Sequence, residues 1–315
     1  PPPPPPPPPP TKKLFLMIRR PPRSTPADCR RQRQMCIRDR LDIINKKHNA
    51  SGRHHQIGDT LASQVVTEVD FKSQEIILEY LLPTLKYYDL GLLSEERDDD
   101  SSRFQKDYFW SIDPLDGTLR FTEGKGGYSV AIALLDRQGD PHIGVVFDPV
   151  DKTIYHAIKG MGAYRNRRPF DLQPLAPDAP LYLVHDRSFG KQKNYNDIVI
   201  ALEDIAEHLG FAGFHAYEYG GSVMNGCKVL EDNPALYFKF PQKKAGGGCI
   251  WDFAATTCIY NEIGAYATDI QGKPLELNNP GTCYLNHCGV VFTGIKSVQE
   301  RVGSLYLDLQ HEKII

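Results

Sequence analysis

Hydrophobic and polar positions follow two different periods along this chain, and the switches between them mark its elements. Val69, Ile76, Ile77, Tyr80 and Leu81 recur at helical spacing, so a helix is expected from about Asp70, a natural N-terminal cap, to the neighbourhood of Pro83. A polar-aromatic connection follows, and then the apolar run Leu92-Leu93-Ser94, which closes on Glu95 and Glu96. Asp98 to Asp100 read as a solvated acidic loop. Trp110-Ser111-Ile112 is a strand end. Tyr128 to Leu135, His142 to Phe147 and Thr153 to Ile158 are further strand-like runs separated by turn residues, and Gly160 and Gly162 precede Ala163-Tyr164. This order describes an antiparallel meander, an α+β first half over residues 41–168.

The proline-containing stretch Pro169 to Pro180 is the expected boundary between halves. In residues 169–315 the pattern becomes α/β. Strands at Leu181 to Val184, His215 to Tyr219 and Ala235 to Phe240 alternate with helices at Asn196 to Leu209 and from Gly220-Gly221-Ser222. After a loose loop, Lys243 to Gly248, a last helix starts at Trp251-Asp252 and ends at Gly264. Upstream, Leu41, Ile43 and Ile44 read as the end of an amphipathic helix. His48, His54 and His55 sit in a polar context that favours an exposed loop over a metal site.

Composition changes the picture mainly at the N-terminus. Of the chain's 25 prolines, 13 lie in the first forty residues, ten of them consecutive. That segment carries ten basic and two acidic residues, a charge of +8, which leaves −10 for the remainder of a chain whose net charge is −2. Leu14 to Arg40 resembles translated sequencing-adapter read-through, so residues 1–40 are expected to be non-native and disordered, with native sequence missing before Leu41. Leu14-Phe15-Leu16-Met17-Ile18 is too short for a membrane span and lacks the features of a signal peptide. The acidic body gives no support to nucleic-acid binding. Seven cysteines without a Cys-x-x-Cys pair point to reduced thiols and a cytoplasmic protein.

The chemistry concentrates at Asp113-Pro114-Leu115-Asp116-Gly117-Thr118. Two carboxylates three residues apart repel each other unless a hard cation sits between them. Pro114 restricts the backbone in a way that helps turn the Leu115 carbonyl to the same point. Gly117-Thr118 looks like the opening of a helix, which favours an anion. An Asp-Pro turn followed by a helix start would need neither ligand, and this stretch alone does not decide. Asp70, Glu95 and Asp252 also have plain structural roles when each is taken alone.

Taken together they form an ordered set: Asp70 after Thr67, Glu95-Glu96, Asp113-x-x-Asp116-Gly117-Thr118, and Trp251-Asp252 followed by two alanines. This set resembles the inositol monophosphatase superfamily of magnesium-dependent, lithium-sensitive phosphatases from roughly Leu41 to Thr293. The resemblance implies a layered α-β-α-β-α sandwich of the sugar-phosphatase type. It implies that Glu95, Asp113 and the Leu115 carbonyl hold one Mg²⁺, and that Asp113, Asp116 and Asp252 hold a second, with two or three ions per site and Li⁺ as an inhibitor. Asp70 and Thr118, with Glu95, would orient and deprotonate the attacking water, and the N–H groups of Gly117 and Thr118 would cradle the phosphate. Haloacid-dehalogenase-type phosphatases place a nucleophilic Asp two residues before the second Asp. Pro114 stands there, so the spacing favours activated water.

Thr118 to Gly124 and Tyr128 to Leu134 look closer to the 3′(2′),5′-bisphosphate nucleotidase branch. Gly221-Ser222 matches the family's substrate loop. Lys239 stands where inositol enzymes carry an acid, and so favours a substrate with a second phosphate, such as 3′-phosphoadenosine 5′-phosphate; an exposed strand lysine is the plain reading. The expected partner is a small phosphorylated molecule, with no nucleic-acid polymer and no membrane, and a homodimer is compatible. Inositol monophosphate or another sugar phosphate is the alternative substrate, and a non-catalytic metal- or phosphate-binding relative is the reading from a different class. The loop Lys243 to Gly248 departs from the family pattern by its length, a change expected to reshape the pocket.

Overall fold

The structure, a computed structural model, describes residues 68–314 apart from 245 and 247. The proline- and arginine-rich segment, the helix end near Leu41 and the three histidines at 48, 54 and 55 lie outside the described residues. The described chain begins with helix α1 (Glu68–Tyr88), which buries Asp70, Gln74 and Ile77. It runs through Pro83 and beyond, where a connection was expected. A proline inside a helix forfeits one backbone hydrogen bond but permits the helical φ. Here the second half is anchored from outside, because the Trp110 indole donates to Thr84 Oγ1 at 3.0 Å and Leu90 N–H closes on the Leu85 carbonyl at 3.0 Å.

Seven strands follow: β1 (Gly91–Ser94), β2 (Tyr108–Asp116), β3 (Ser129–Asp136), β4 (Pro141–Asp148), β5 (Thr153–Ile158), β6 (Ala163–Arg165) and β7 (Arg168–Pro169). They form one sheet in chain order, with β1 parallel to β2 and every later pair antiparallel, so the expected meander is present. A short helix α2 (Thr118–Thr122) interrupts between β2 and β3.

The second sheet is built from β8 (Leu181–His185), β9 (Phe214–Glu218), β10 (Ala235–Lys239), β11 (Tyr266–Thr268) and β12 (Val290–Thr293), in the order β11-β12-β10-β8-β9. Its helices are α3 (Arg187–Gly190), α4 (Tyr195–His208), α5 (Ser222–Glu231), α6 (Ile250–Ile263) and α7 (Lys296–His311). Strands β8, β9 and β10 run parallel, as the alternating pattern requires, whereas β12 joins antiparallel. The sequence reading places nothing beyond Gly264. Two strands and α7 stand there, and α7 shows its buried face plainly as Val298, Val302, Leu305 and Leu309.

Side-chain alternation explains the layering. On the second sheet, Val184, Tyr237 and Phe292 face a core shared with α5, α6 and the first sheet, while Leu183, Leu236, Phe238 and Val291 face α4 and α7. On the first sheet, α1 packs on β2 from one side and α6 crosses β2 to β5 from the other. The order of layers is therefore α-β-α-β-α.

Helix α6 comes unusually close to the first sheet. Ser111, Ala133, Gly144, Ala157 and Ala163 are register partners across β2 to β6 and make a row of small residues beneath it. A Cβ on Gly144 would lie 2.3 Å from the Ala255 carbonyl oxygen and 2.7 Å from Cys258 Cβ. Gly144→Ala therefore overpacks the interface and is expected to cost about 1–3 kcal/mol, read as a lower midpoint in thermal or urea unfolding. An unchanged midpoint would mean that α6 does not rest on this row.

Candidate active site

Strand β2 enters the site with Asp113 on the same face as Phe109 and Ser111, the side covered by α6. Strict alternation would turn Asp116, three residues on, to the opposite face. The register shows how this is avoided: Asp113 pairs with Ala131 and Asp116 with Ser129, so β2 carries an extra residue at Pro114-Leu115. Such a bulge re-aims the side chains beyond it, and proline, which has no N–H for a ladder, suits it. The bulge is pinned on both sides. Leu115 N–H donates to Asp113 Oδ1 at 2.9 Å, and the Ser73 hydroxyl of α1 donates to the Pro114 carbonyl at 2.8 Å.

Asp252 arrives from the first turn of α6, where its Oδ2 accepts from Cys249 N–H at 2.6 Å in a capping box. One oxygen from each of Asp113, Asp116 and Asp252 lies within 4.8 Å of the others. Glu95, just past β1, continues the ladder by donating its N–H to the Ile112 carbonyl at 3.1 Å, and its carboxyl group is near enough to that of Asp113 for its charge to raise the Asp113 pKa. Asp70 of α1 accepts from Thr118 Oγ1 at 3.0 Å, and Leu115 O lies 3.1 Å from the same hydroxyl, so one proton serves two acceptors. The structure thus brings Asp70, Glu95, Asp113, the Leu115 carbonyl, Asp116, Thr118 and Asp252 to one corner.

This corner is electrostatically frustrated. Burial, then Asp252 and Glu96, push the Glu95 carboxyl well above its usual range, and burial, then Glu95, Asp252 and Asp116, do the same to Asp113. Asp116 is pushed up to about 8 by burial and by Asp252, against the pull of Val223 N–H. Asp252 is also raised by burial, although Cys249 N–H, Asp113 and Lys239 work against it. The cluster offers oxygen donors only, at the separation a shared cation needs, so a hard ion such as Mg²⁺ fits the residues present.

Gly221 and Ser222 sit beside this cluster in a way the sequence did not reveal. Asp116 Oδ1 accepts from Ser222 N–H at 3.0 Å and Oδ2 from Val223 N–H at 3.1 Å, so the first donors of α5 are taken by a carboxylate of the site. Ser222 Oγ accepts from Tyr237 OH at 3.1 Å. Gly221 has ordinary extended backbone geometry, yet a Cβ there would lie 2.3 Å from Asp116 Oδ2. It is a glycine because Asp116 occupies the space. Gly127 and Gly220 meet nearby, with Gly221 N–H donating to the Gly127 carbonyl at 2.8 Å, which ties the loop after α2 to α5.

Lys239, at the end of β10, is neither free nor exposed. Its Nζ lies 3.0 Å from Asp186 Oδ2 and its side chain is 21% accessible. Burial opposes the charge of Lys239, but Asp186 overcomes it and raises the ammonium above its usual range. Asp186 is a residue that the sequence reading missed. It caps α3, accepting from Phe189 N–H at 3.0 Å and from the Ser188 hydroxyl, and is held at about 2 because Lys239 and these donors outweigh burial. Asp-x-Ser after a strand was a visible capping signal, but nothing in it named Lys239 as the partner.

Two expectations follow from this geometry. Gly221→Ala displaces the Asp116 carboxylate without backbone strain, so divalent-cation affinity measured by calorimetry is expected to fall by at least about tenfold while the fold is kept. Retained affinity would mean that Asp116 is not a ligand. The second concerns pH. An ordinary Asp titrates at 3.8, whereas folded, cation-free Asp116 titrates near 8, so between these values the folded chain holds a proton that the unfolded chain has lost. Stability of the cation-free protein should therefore fall as pH rises through this window. Mg²⁺ binding at pH 7 should release protons, detectable as buffer-dependent heats. Equal heats in buffers of different ionisation enthalpy would contradict this.

Known proteins resemble this chain over most of its length. The model of the inositol monophosphatase family matches residues 32–304, a span that begins inside the segment read as non-native. The 3′(2′),5′-bisphosphate nucleotidase CysQ of Escherichia coli K12 is 33% identical over 249 residues, covering 78% of this chain and 87% of that protein. An inositol-1-monophosphatase of Bacillus subtilis is 24% identical over 247 residues, covering 78% and 84%. Among solved structures, an IMPase/NADP phosphatase complexed with Mg²⁺ and phosphate is 18% identical with a TM-score of 0.64, covering 94% of this chain and 95% of that one.

Proposed function

The chain belongs to the inositol monophosphatase family, and from that premise we propose that it is a Mg²⁺-dependent phosphomonoesterase that removes the 3′-phosphate of 3′-phosphoadenosine 5′-phosphate or a related bisphosphate nucleotide. The observation that carries the substrate is the likeness to CysQ over most of both chains. In this reading Glu95, Asp113 and the Leu115 carbonyl hold one Mg²⁺ and Asp113, Asp116 and Asp252 a second, with Li⁺ inhibition expected from the family. The meeting of three of these carboxylates within 4.8 Å supports the second set. Bound Mg²⁺ supplies the positive charge that acidifies the attacking water and stabilises the leaving oxygen. Asp70 holds the Thr118 hydroxyl, and this pair, with Glu95, orients the water and takes its proton. The N–H groups of Gly117 and Thr118, which open α2, hold the phosphate. Gly221 and Ser222 act through Asp116, and Lys239 faces the far end of the substrate.

The alternative, an inositol or sugar phosphate, has one observation in its favour. Asp186 neutralises Lys239, and a neutral pair of donor and acceptor suits hydroxyl groups as well as a second phosphate. Among the described residues no helix is long and apolar enough to cross a membrane. A cytoplasmic home is proposed from the cysteines: the five described ones are free thiols, three of them buried. A homodimer remains part of the reading through the family alone.

Phosphate release should be measured with a bisphosphate nucleotide, inositol 1-phosphate and fructose 1,6-bisphosphate, with Mg²⁺ and with added Li⁺. The bisphosphate nucleotide is expected to be turned over best. Thr118→Ala should lower kcat by roughly 10²–10⁴-fold with cation affinity kept. A preference for inositol 1-phosphate would overturn the substrate alone. Absence of turnover by folded, Mg²⁺-loaded protein would overturn the enzyme and leave a binding protein.

A further inference from the structure

The ion pair between Lys239 and Asp186 raises a question of placement. Tyr237 and Lys239 lie two residues apart on β10 and so share a face. Tyr237 OH reaches Ser222, whose N–H holds Asp116, so this face of β10 looks toward the carboxylate cluster. The charge of Lys239 is felt there, since it pulls the carboxyl pKa of both Asp116 and Asp252 downward and so favours their charged forms. A flexible ammonium beside buried, mutually repelling carboxylates is a natural competitor for the cation they are built to hold. In the structure it does not go to them. It goes to Asp186, on the wall of a cleft of about 320 Å³ lined also by Ser188, Phe189, Phe240 and Asn286.

Asp186 is well equipped to win that competition. Its carboxylate is fixed by the first turn of α3, through Phe189 N–H and the Ser188 hydroxyl, before any partner arrives. An acceptor held in place loses little freedom on pairing. Asp186 and Lys239 both line this cleft.

We propose that Asp186 is a positioning residue which keeps Lys239 off Asp116 and Asp252, leaving those carboxylates to a divalent cation and the ammonium to the substrate's far end. This rests on Asp116 and Asp252 being cation ligands, as read above. The role is one of exclusion: the cation site works because a nearby positive charge is held elsewhere.

The test is Mg²⁺ binding by calorimetry, without substrate, on four proteins: wild type, Asp186→Asn, Lys239→Met and the double variant. Asp186→Asn frees Lys239 to pair with the cluster, and Mg²⁺ affinity is expected to fall by about tenfold, within the range of couplings between neighbouring charged residues. Lys239→Met alone should bind Mg²⁺ at least as tightly as wild type. The double variant should regain the affinity lost in Asp186→Asn, because the competitor has gone. A merely structural role for Asp186 would leave the double variant as weak as the single one, and that result would overturn the proposal. Unchanged affinity in Asp186→Asn would do so too. If wild type itself bound no Mg²⁺, the reading of the carboxylates would fail first, and this inference with it.

Discussion

The structure turns on the repulsion among Glu95, Asp113, Asp116 and Asp252. Burying a carboxylate costs several kcal/mol even after relaxation, and the penalty grows when its neighbours carry the same charge. Burial is the first cause that lifts the pKa of each of the four, and like-charged neighbours in the cluster add to it for Glu95, Asp113 and Asp116. Such a cluster persists only when the surrounding framework is stiff enough to hold it. Here each acid sits on an element that packing has already fixed: the end of β1, the bulge of β2 and the first turn of α6.

Helix α6 carries most of that stiffness. Ile250 and every residue from Phe253 to Tyr260 are buried, so it is apolar all round, as a helix between two sheets has to be. It settles on a row of small side chains, and Gly144 sets the distance of closest approach. Asp252 is therefore placed by contacts several residues away from it. Its own capping bond to Cys249 N–H fixes the rotamer without using up the carboxylate. The same economy appears at Asp116, where two N–H groups of α5 orient a group that also faces its partners. In both places a helix N-terminus, with its partial positive charge, steadies an acid that the cluster destabilises.

This division explains what was legible in the sequence. Asp113, Asp116, Thr118 and Asp252 stood out because their chemistry depends on residue type at short spacing, and the meander around them on period-two alternation. The bulge at Pro114-Leu115 was half visible: the proline was there, but the register shift depends on the pairing of β2 with β3. Pro83 misled, because its effect on α1 is overridden by Trp110 reaching Thr84 from another layer. Gly221 reads as part of a substrate loop; that its missing side chain also makes room for Asp116, more than a hundred residues earlier in the chain, was not visible. β11, of three residues, is too short to signal its presence, although α7 was readable from its apolar stripe.

Lys239 marks the point at which sequence reasoning runs out. A basic residue in that position means one thing when its ammonium is free and another when a carboxylate meets it. The identity of that carboxylate depends on β8 lying beside β10 in parallel, so that Asp186 emerges at the end where Lys239 does. The cutting chemistry lies within motifs a few residues long, each made of groups that act on one atom. On the proposed reading, selectivity lies in the balance of charges between strands that are neighbours in the sheet but distant in the chain. If Lys239 meets the substrate as proposed, a substitution at residue 186 alters what it recognises without touching any motif, and substrate choice is then separable from the carboxylate cluster.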